Sequence, residues 1–198
     1  MSPWAVLLVL VVLAAVVVLW AVGVYNGLVT RRNRVKNAFS QIDVQLTRRY
    51  DLIPNLVEST KAYLAHEHDT LEAVIAARGA AVAAQTRVAG NPADGVAMQG
   101  LLTADGALGG ALGRLMMLTE AYPTLKADAT MKALTDELAG TENRIAFARQ
   151  AYNDAVMDYN TAREQVPGNL VVGFGDFPAA TSWEAESQAV RQAPVVKF

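Results

Sequence analysis

Few residues of this chain have the type and spacing to do chemistry. The two histidines stand together in His66-Glu67-His68. Helical metal pairs need imidazoles at i and i+4, whereas i and i+2 point about 200° apart around the axis, so this cluster predicts no metal site. The 198 residues contain no cysteine. That rules out a thiolate nucleophile, a zinc-thiolate site, an iron–sulfur cluster or a disulfide framework. With no further histidine, no histidine-dependent nucleophile relay can be assembled elsewhere. The carboxylate pairs Glu137/Glu142 and Asp154/Asp158 have basic neighbours at helical spacing and read as solvated helix faces. The glycines from Gly106 to Gly113 lack the Gly-Lys-Ser/Thr and the preceding strand of a phosphate loop. The expectation is a protein without catalytic residues, metal or cofactor.

The unusual polar residues stand on otherwise apolar helix seams. Val35, Phe39, Ile42, Leu46, Ile53, Leu56 and Thr60 recur at alternating four- and three-residue spacing, with Arg49 in the seam between Leu46 and Ile53. Arg48, Asp51, Asn55 and Glu58 surround it. A second polar group, Thr141, Glu142, Asn143, Arg144 and Arg149, interrupts another seam. Charges near a seam are tolerated when they pair across helices, and they can set register. The predicted structural polar network is therefore Arg48, Arg49, Asp51, Asn55, Glu58, Glu142, Asn143 and Arg144, with a ligand or partner site as the competing reading.

These seams need long helices. Residues 31–88 read as helix, with a kink or break expected at 50–54 because Pro54 removes a hydrogen bond and crowds the preceding turn. Gly90-Asn91-Pro92 is a stop-and-turn, and seven of the 14 glycines fall between Gly90 and Gly113. A second helix should run to Tyr122, with Leu108, Leu112, Leu115, Leu118 and Tyr122 inward. The third, over 128–165, carries Met131, Leu134, Leu138, Thr141, Ile145, Ala148, Tyr152, Ala155, Tyr159 and Ala162 in register and ends at Pro167-Gly168. Helix 31–88 is too long for its partner, so it must overhang or fold back at Pro54 to supply a fourth member. The last thirty residues have aromatic anchors and little periodicity, and predict an extended tail with one short helix near 182–191, packed on the bundle.

Ahead of all this stands Pro3 to Val24, with no ionisable side chain. As a helix it would span ~33 Å, against a hydrocarbon core of about 30 Å. Trp4 and Trp20 stand near its ends, where indoles prefer the interface. A cleavable signal sequence is the competitor, since Ala21-Val22-Gly23 fits a small-x-small rule, but a basic leading region is missing. A lipoprotein anchor would need cysteine. Arg31, Arg32, Arg34 and Lys36 follow the span with no acid before Asp43, which predicts a short outside N-terminus and a cytoplasmic main region. These membrane-flanking cations could also lie against anionic headgroups. The remaining chain holds 17 basic and 19 acidic residues, a near-neutral balance that gives no reason to expect nucleic acid.

The predicted class is all-α: an N-terminal transmembrane helix (1–24), an antiparallel up-and-down bundle of three to four long helices (25–166), and an irregular tail (167–198).

Several strings carry a family resemblance. Tyr25-Asn26-Gly27-Leu28-Val29, Arg32 through Leu46, and Arg48-Arg49-Tyr50-Asp51-Leu52-Ile53-Pro54-Asn55-Leu56-Val57 resemble the LemA family. The likeness continues through Tyr63, His66-Glu67, Ala77-Arg78, Glu120 to Ala127, Leu138 to Ile145, Ala151-Tyr152-Asn153 and Tyr159-Asn160. Phe39 stands where the family usually has Trp. The resemblance implies a bacterial inner-membrane protein with one span and a cytoplasmic helical bundle. It implies no catalytic residues.

Two functions follow as expectations. The first is a non-enzymatic, self-associating scaffold that organises the membrane, with the lipid bilayer and further copies of itself as partners. The second is a signalling or stress-sensing subunit that binds another protein. Small residues on the helices, from Ala76 to Ala84 and from Gly106 to Gly113, would suit many weak lateral contacts.

Overall fold

Heptad-like spacing closes into four long helices. The computed structural model describes residues 2–61, 63–64 and 67–183. Helix α1 (Pro3–Lys61) is followed by α2 (His68–Gly90), α3 (Gly95–Ala121), the single turn α4 (Pro123–Lys126), α5 (Ala129–Glu164), the short α6 (Gly168–Val171) and a 3-10 turn (Val172–Phe174). No strand occurs among the described residues.

Helix α1 runs through Pro54, contrary to the break expected there. The chain instead reverses between Lys61 and His68, where Leu64 is buried. A proline in a helix leaves the carbonyl four residues earlier without its donor. Here that carbonyl belongs to Tyr50, and Arg78 of α2 donates its Nε–H to it at 2.6 Å. The pyrrolidine itself sits on the exposed side of the helix. The fourth bundle member is therefore α2, which follows the reversal after Lys61 and not a fold at Pro54.

Contacts along α1 fix the directions. Arg78 and Gln85 of α2 meet Tyr50 and Asp43, so α2 returns antiparallel. Asp105 of α3 meets Arg49. On α5, Glu137 meets Arg48 and Asp158 meets Arg31, so α5 is again antiparallel to α1. The result is an up-down-up-down bundle whose core includes Leu46, Ile53, Val74, Leu108, Leu115 and Ile145. Burying each large aliphatic side chain contributes ~1.5–3 kcal/mol. Asp94 caps α3, accepting from the amides of Val96 and Ala97, and Asp128 caps α5, accepting from Met131.

Helices α2 and α3 end near the level of Phe39, where Gly90 and Pro92 share a cleft with Lys36 and Phe39. Below that level α1 and α5 continue as a pair, and residues 175–183 take the vacant side. Phe177, Ala180 and Trp183 are buried there. The expected tail helix at 182–191 falls largely outside the described residues.

The first turns of α1 stand apart from the bundle. Every side chain from Pro3 to Trp20 is exposed, and the helix is long and apolar enough to cross a membrane. Helix α3 is likewise long and apolar enough to cross a membrane. Its Leu101, Leu108, Leu112 and Leu115, however, are turned into the bundle.

Candidate functional site: a polar layer and an asparagine ladder

Each long helix carries a polar residue at a seam position, and the fold matches them across the core. Arg49 is 4% exposed. Its Nη1 donates to Asp105 Oδ1 of α3 at 2.7 Å. Glu142 Oε1 of α5 lies 2.7 Å from Arg49 Nε, but off the N–H axis, so this contact is a close ion pair without an aligned hydrogen bond. Gln85, the polar seam residue of α2, donates its amide to the carbonyl and Oδ1 of Asp43 and to Thr47 Oγ1. Thr141 is fully buried and returns its hydroxyl to the Glu137 carbonyl.

The electrostatics follow from burial. Burial pushes the Asp105 carboxyl above its ordinary range, while Arg49 and Arg149 pull it back. Glu142 is raised in the same way, by burial first and by the nearby Asp105, against Arg49 and Arg149. Burial lowers Arg149, against the two carboxylates. The Tyr50 hydroxyl is buried without a hydrogen-bond partner among the described residues, and burial together with Asp105 raises it strongly. Arg49 thus contacts both carboxylates, and Arg149 acts on them through space, a set that can hold helices in register.

The eight sequence-predicted network residues separate into groups. Arg49 and Glu142 come together at the edge of the core, where the Glu142 side chain stays half-exposed. Arg48 pairs with Glu137 at 2.7 Å on the surface. Glu58 pairs with Lys61 one turn away. Asp51, Asn55, Asn143 and Arg144 are exposed and take part in no salt bridge among the described residues. Gln85 was missed, and so was Asp105. The signal for Asp105 was present, since Met98, Leu101, Asp105, Leu108, Leu112 and Leu115 keep three-four spacing and place the acid in the α3 seam.

His68 is exposed and pairs with Glu72 at 3.3 Å; His66 lies outside the described residues. No cluster able to hold a metal ion occurs among the described residues.

Among the membrane-flanking cations, Arg31 and Arg34 approach Asp158 of α5 at 3.4 and 3.9 Å. Arg32 donates to the Asp176 carbonyl at 2.8 Å and lies over the Phe177 ring. Lys36 is exposed.

A second polar arrangement holds the tail. Asn160 donates to the Ala180 carbonyl at 2.8 Å and accepts from its amide at 3.0 Å. Asn153 does the same with Trp183, at 3.1 and 2.7 Å. The hydroxyls of Tyr159 and Tyr152 donate to the carbonyls of Pro178 and Thr181. Each pair of α5 residues is one heptad apart and each pair of tail residues three apart. Seven helical residues rise ~10.5 Å and three extended residues span about 10 Å, so the two periods match. One heptad further along α5 stand Ile145 and Ala146, which offer no side-chain polar group.

Comparison with known proteins places this arrangement. A family model described as LemA family matches residues 38–198. The magnetosome protein MamQ of Magnetospirillum gryphiswaldense is 33% identical over 168 residues, covering 76% of this chain and 62% of that protein. Magnetosome protein MamQ 2 of Paramagnetospirillum magneticum is 32% identical over 174 residues, covering 79% of this chain and 63% of its own length. The chain thus spans less than two thirds of the length of these relatives. The matched residues take in Arg49, Asp105 and Glu142 and both Tyr-Asn steps of the ladder, and by this match the chain belongs to the LemA family.

Proposed function

We propose that this protein is a single-pass, non-enzymatic scaffold of the bacterial inner membrane that self-associates laterally and organises the bilayer holding it. The observation that carries this reading is the continuity of α1, one helix from the exposed apolar run into the bundle core. Such a helix would transmit the orientation of the span to the whole bundle. Arg31, Arg32, Arg34 and Lys36 directly after the run favour a cytoplasmic bundle and a short outside N-terminus. The relatives' description as magnetosome proteins supports a membrane-associated role. Exposed small residues support lateral contact: Ala76, Ala80 and Ala83 on α2, with Gly106, Gly110 and Gly113 on α3.

The test is sedimentation of the full-length chain in mild detergent. A particle of many subunits is expected, larger than that formed by a chain starting at Arg31. A full-length monomer, after subtraction of bound detergent, overturns the scaffold, and a defined complex with another protein favours the signalling or stress-sensing reading. For topology, a cysteine replacing the exposed Gln150 should resist a membrane-impermeant thiol reagent in intact cells.

A further inference from the structure

An apolar corner stands where α5 ends and α6 begins. Val166, Leu170 and Phe174 are 73%, 59% and 87% exposed. The inward side of the same segment is already filled, because Gly168 and Val171 are buried. Gly168 lies so close to the Ala162 carbonyl that no side chain fits between them. The outward residues are therefore held outward by a finished core.

The corner's level along α1 is set by its neighbours. A cleft of about 450 Å³ separates Gln165, Val166 and Pro167 from Trp20, Gly23 and Val24. Gly175 packs against the rings of Tyr25 and Phe177, with no room for a Cβ. Trp20 to Val24 is the last turn of the apolar run, about 6 Å of helix. The corner thus stands beside the end of that run, and its exposed apolar side chains continue the exposed surface of Pro3 to Trp20 sideways. Arg31, Arg32 and Arg34 form a cationic collar about two to three turns further along α1. An apolar tip under a basic collar is the pattern that suits the boundary between acyl chains and anionic headgroups.

We propose that this corner is a second membrane contact, with Val166, Leu170 and Phe174 immersed at the headgroup–acyl boundary of the leaflet from which α1 emerges. The inference rests on reading α1 as a span. The occupant is lipid: a second copy in the same bilayer plane meets the sides of the bundle, whereas this corner borders, across the cleft, the last turn of the apolar run. Seating at two points fixes rotation of the bundle about α1, so that neighbouring copies present constant lateral faces.

The test uses the full-length chain, whose lack of cysteine permits single labelling sites. Variants Leu170→Cys, Phe174→Cys, Gln150→Cys and Val12→Cys are labelled with an environment-sensitive fluorophore and reconstituted in vesicles containing anionic phospholipid. Labels at 170 and 174 should be blue-shifted and lose much of their intensity to lipids spin-labelled high on the acyl chain. The label at 12 should be quenched by lipids spin-labelled deep on the chain, and the label at 150 by neither. Quenching at 12 without quenching at 170 and 174 overturns the second contact and leaves the span intact. A blue shift at 170 and 174 without lipid quenching assigns the corner to a protein contact and also overturns the proposal. Loss of quenching at 12 overturns the span, and the corner's seating with it.

Discussion

Arg78 Nε donates a 2.6 Å hydrogen bond to the main-chain carbonyl of Tyr50. That carbonyl is the one Pro54, four residues on, has no N–H to satisfy. A side chain of α2 thus completes the backbone of α1, and the proline becomes compatible with an unbroken helix. The arginine is also held in place by what it repairs.

This relationship predicts strong coupling between residues 54 and 78. Arg78→Ala should cost ~1.5–3 kcal/mol, the range for a hydrogen bond from a charged donor. In a Pro54→Ala background the main-chain N–H gained at position 54 can satisfy Tyr50, so the same change should cost clearly less. A double-mutant cycle by denaturant unfolding measures the difference, and additive effects would remove the repair role.

The core layer predicts a contrast between two arginines. Arg49→Met leaves Asp105 and Glu142 without their central cation and should destabilise the bundle by about 3–5 kcal/mol. Arg144→Ala, on the exposed face of α5, should stay within about 0.5 kcal/mol of the parent. Thermal unfolding of both variants checks the pair. Equal losses would place Arg144 in a buried network.

The raised carboxyls predict a pH dependence with a definite sign. Asp105 and Glu142 hold their protons more tightly folded than unfolded, chiefly through burial. Their contribution to stability is therefore greatest below the ordinary carboxyl values of 3.8 and 4.5 and falls as pH rises through the higher native values. The stability of the parent relative to Asp105→Asn should decline across that window. A rise would mean that Arg49 outweighs burial.

The ladder predicts local release of the tail. Asn153→Ala with Asn160→Ala removes four hydrogen bonds to the backbone of Ala180 and Trp183. Amide exchange at Ala180 and Trp183 should accelerate strongly while exchange in the α2–α3 core stays unchanged. Trp183, now 2% exposed with Arg149 over its ring, should shift its emission to the red. Unchanged exchange would show that the Tyr152 and Tyr159 hydroxyls and the packing of Phe177 and Trp183 hold the tail without the asparagines.

Most helical stretches were legible from period alone, although the reversal between Lys61 and His68 was not. The apolar spacing in α1, α3 and α5 and the signal at Gly90-Asn91-Pro92 depend on local geometry, which sequence states directly. The exposed run from Pro3 was legible for the same reason, through length and hydropathy.

What tertiary structure decided were the pairings across helices. Pro54 reads locally as a helix breaker, because the donor that repairs it is 24 positions later on another helix. Arg49 and Glu142 were both visible as seam polars, but Asp105, hidden among glycines, joined them only when α3 was set beside α1. Asn153 and Asn160 stand a heptad apart, yet nothing local says that a tail with a matching three-residue step will lie along them. Helical period is a property of neighbouring residues. Partner choice depends on which faces the folded chain brings together, and only the assembled bundle sets that.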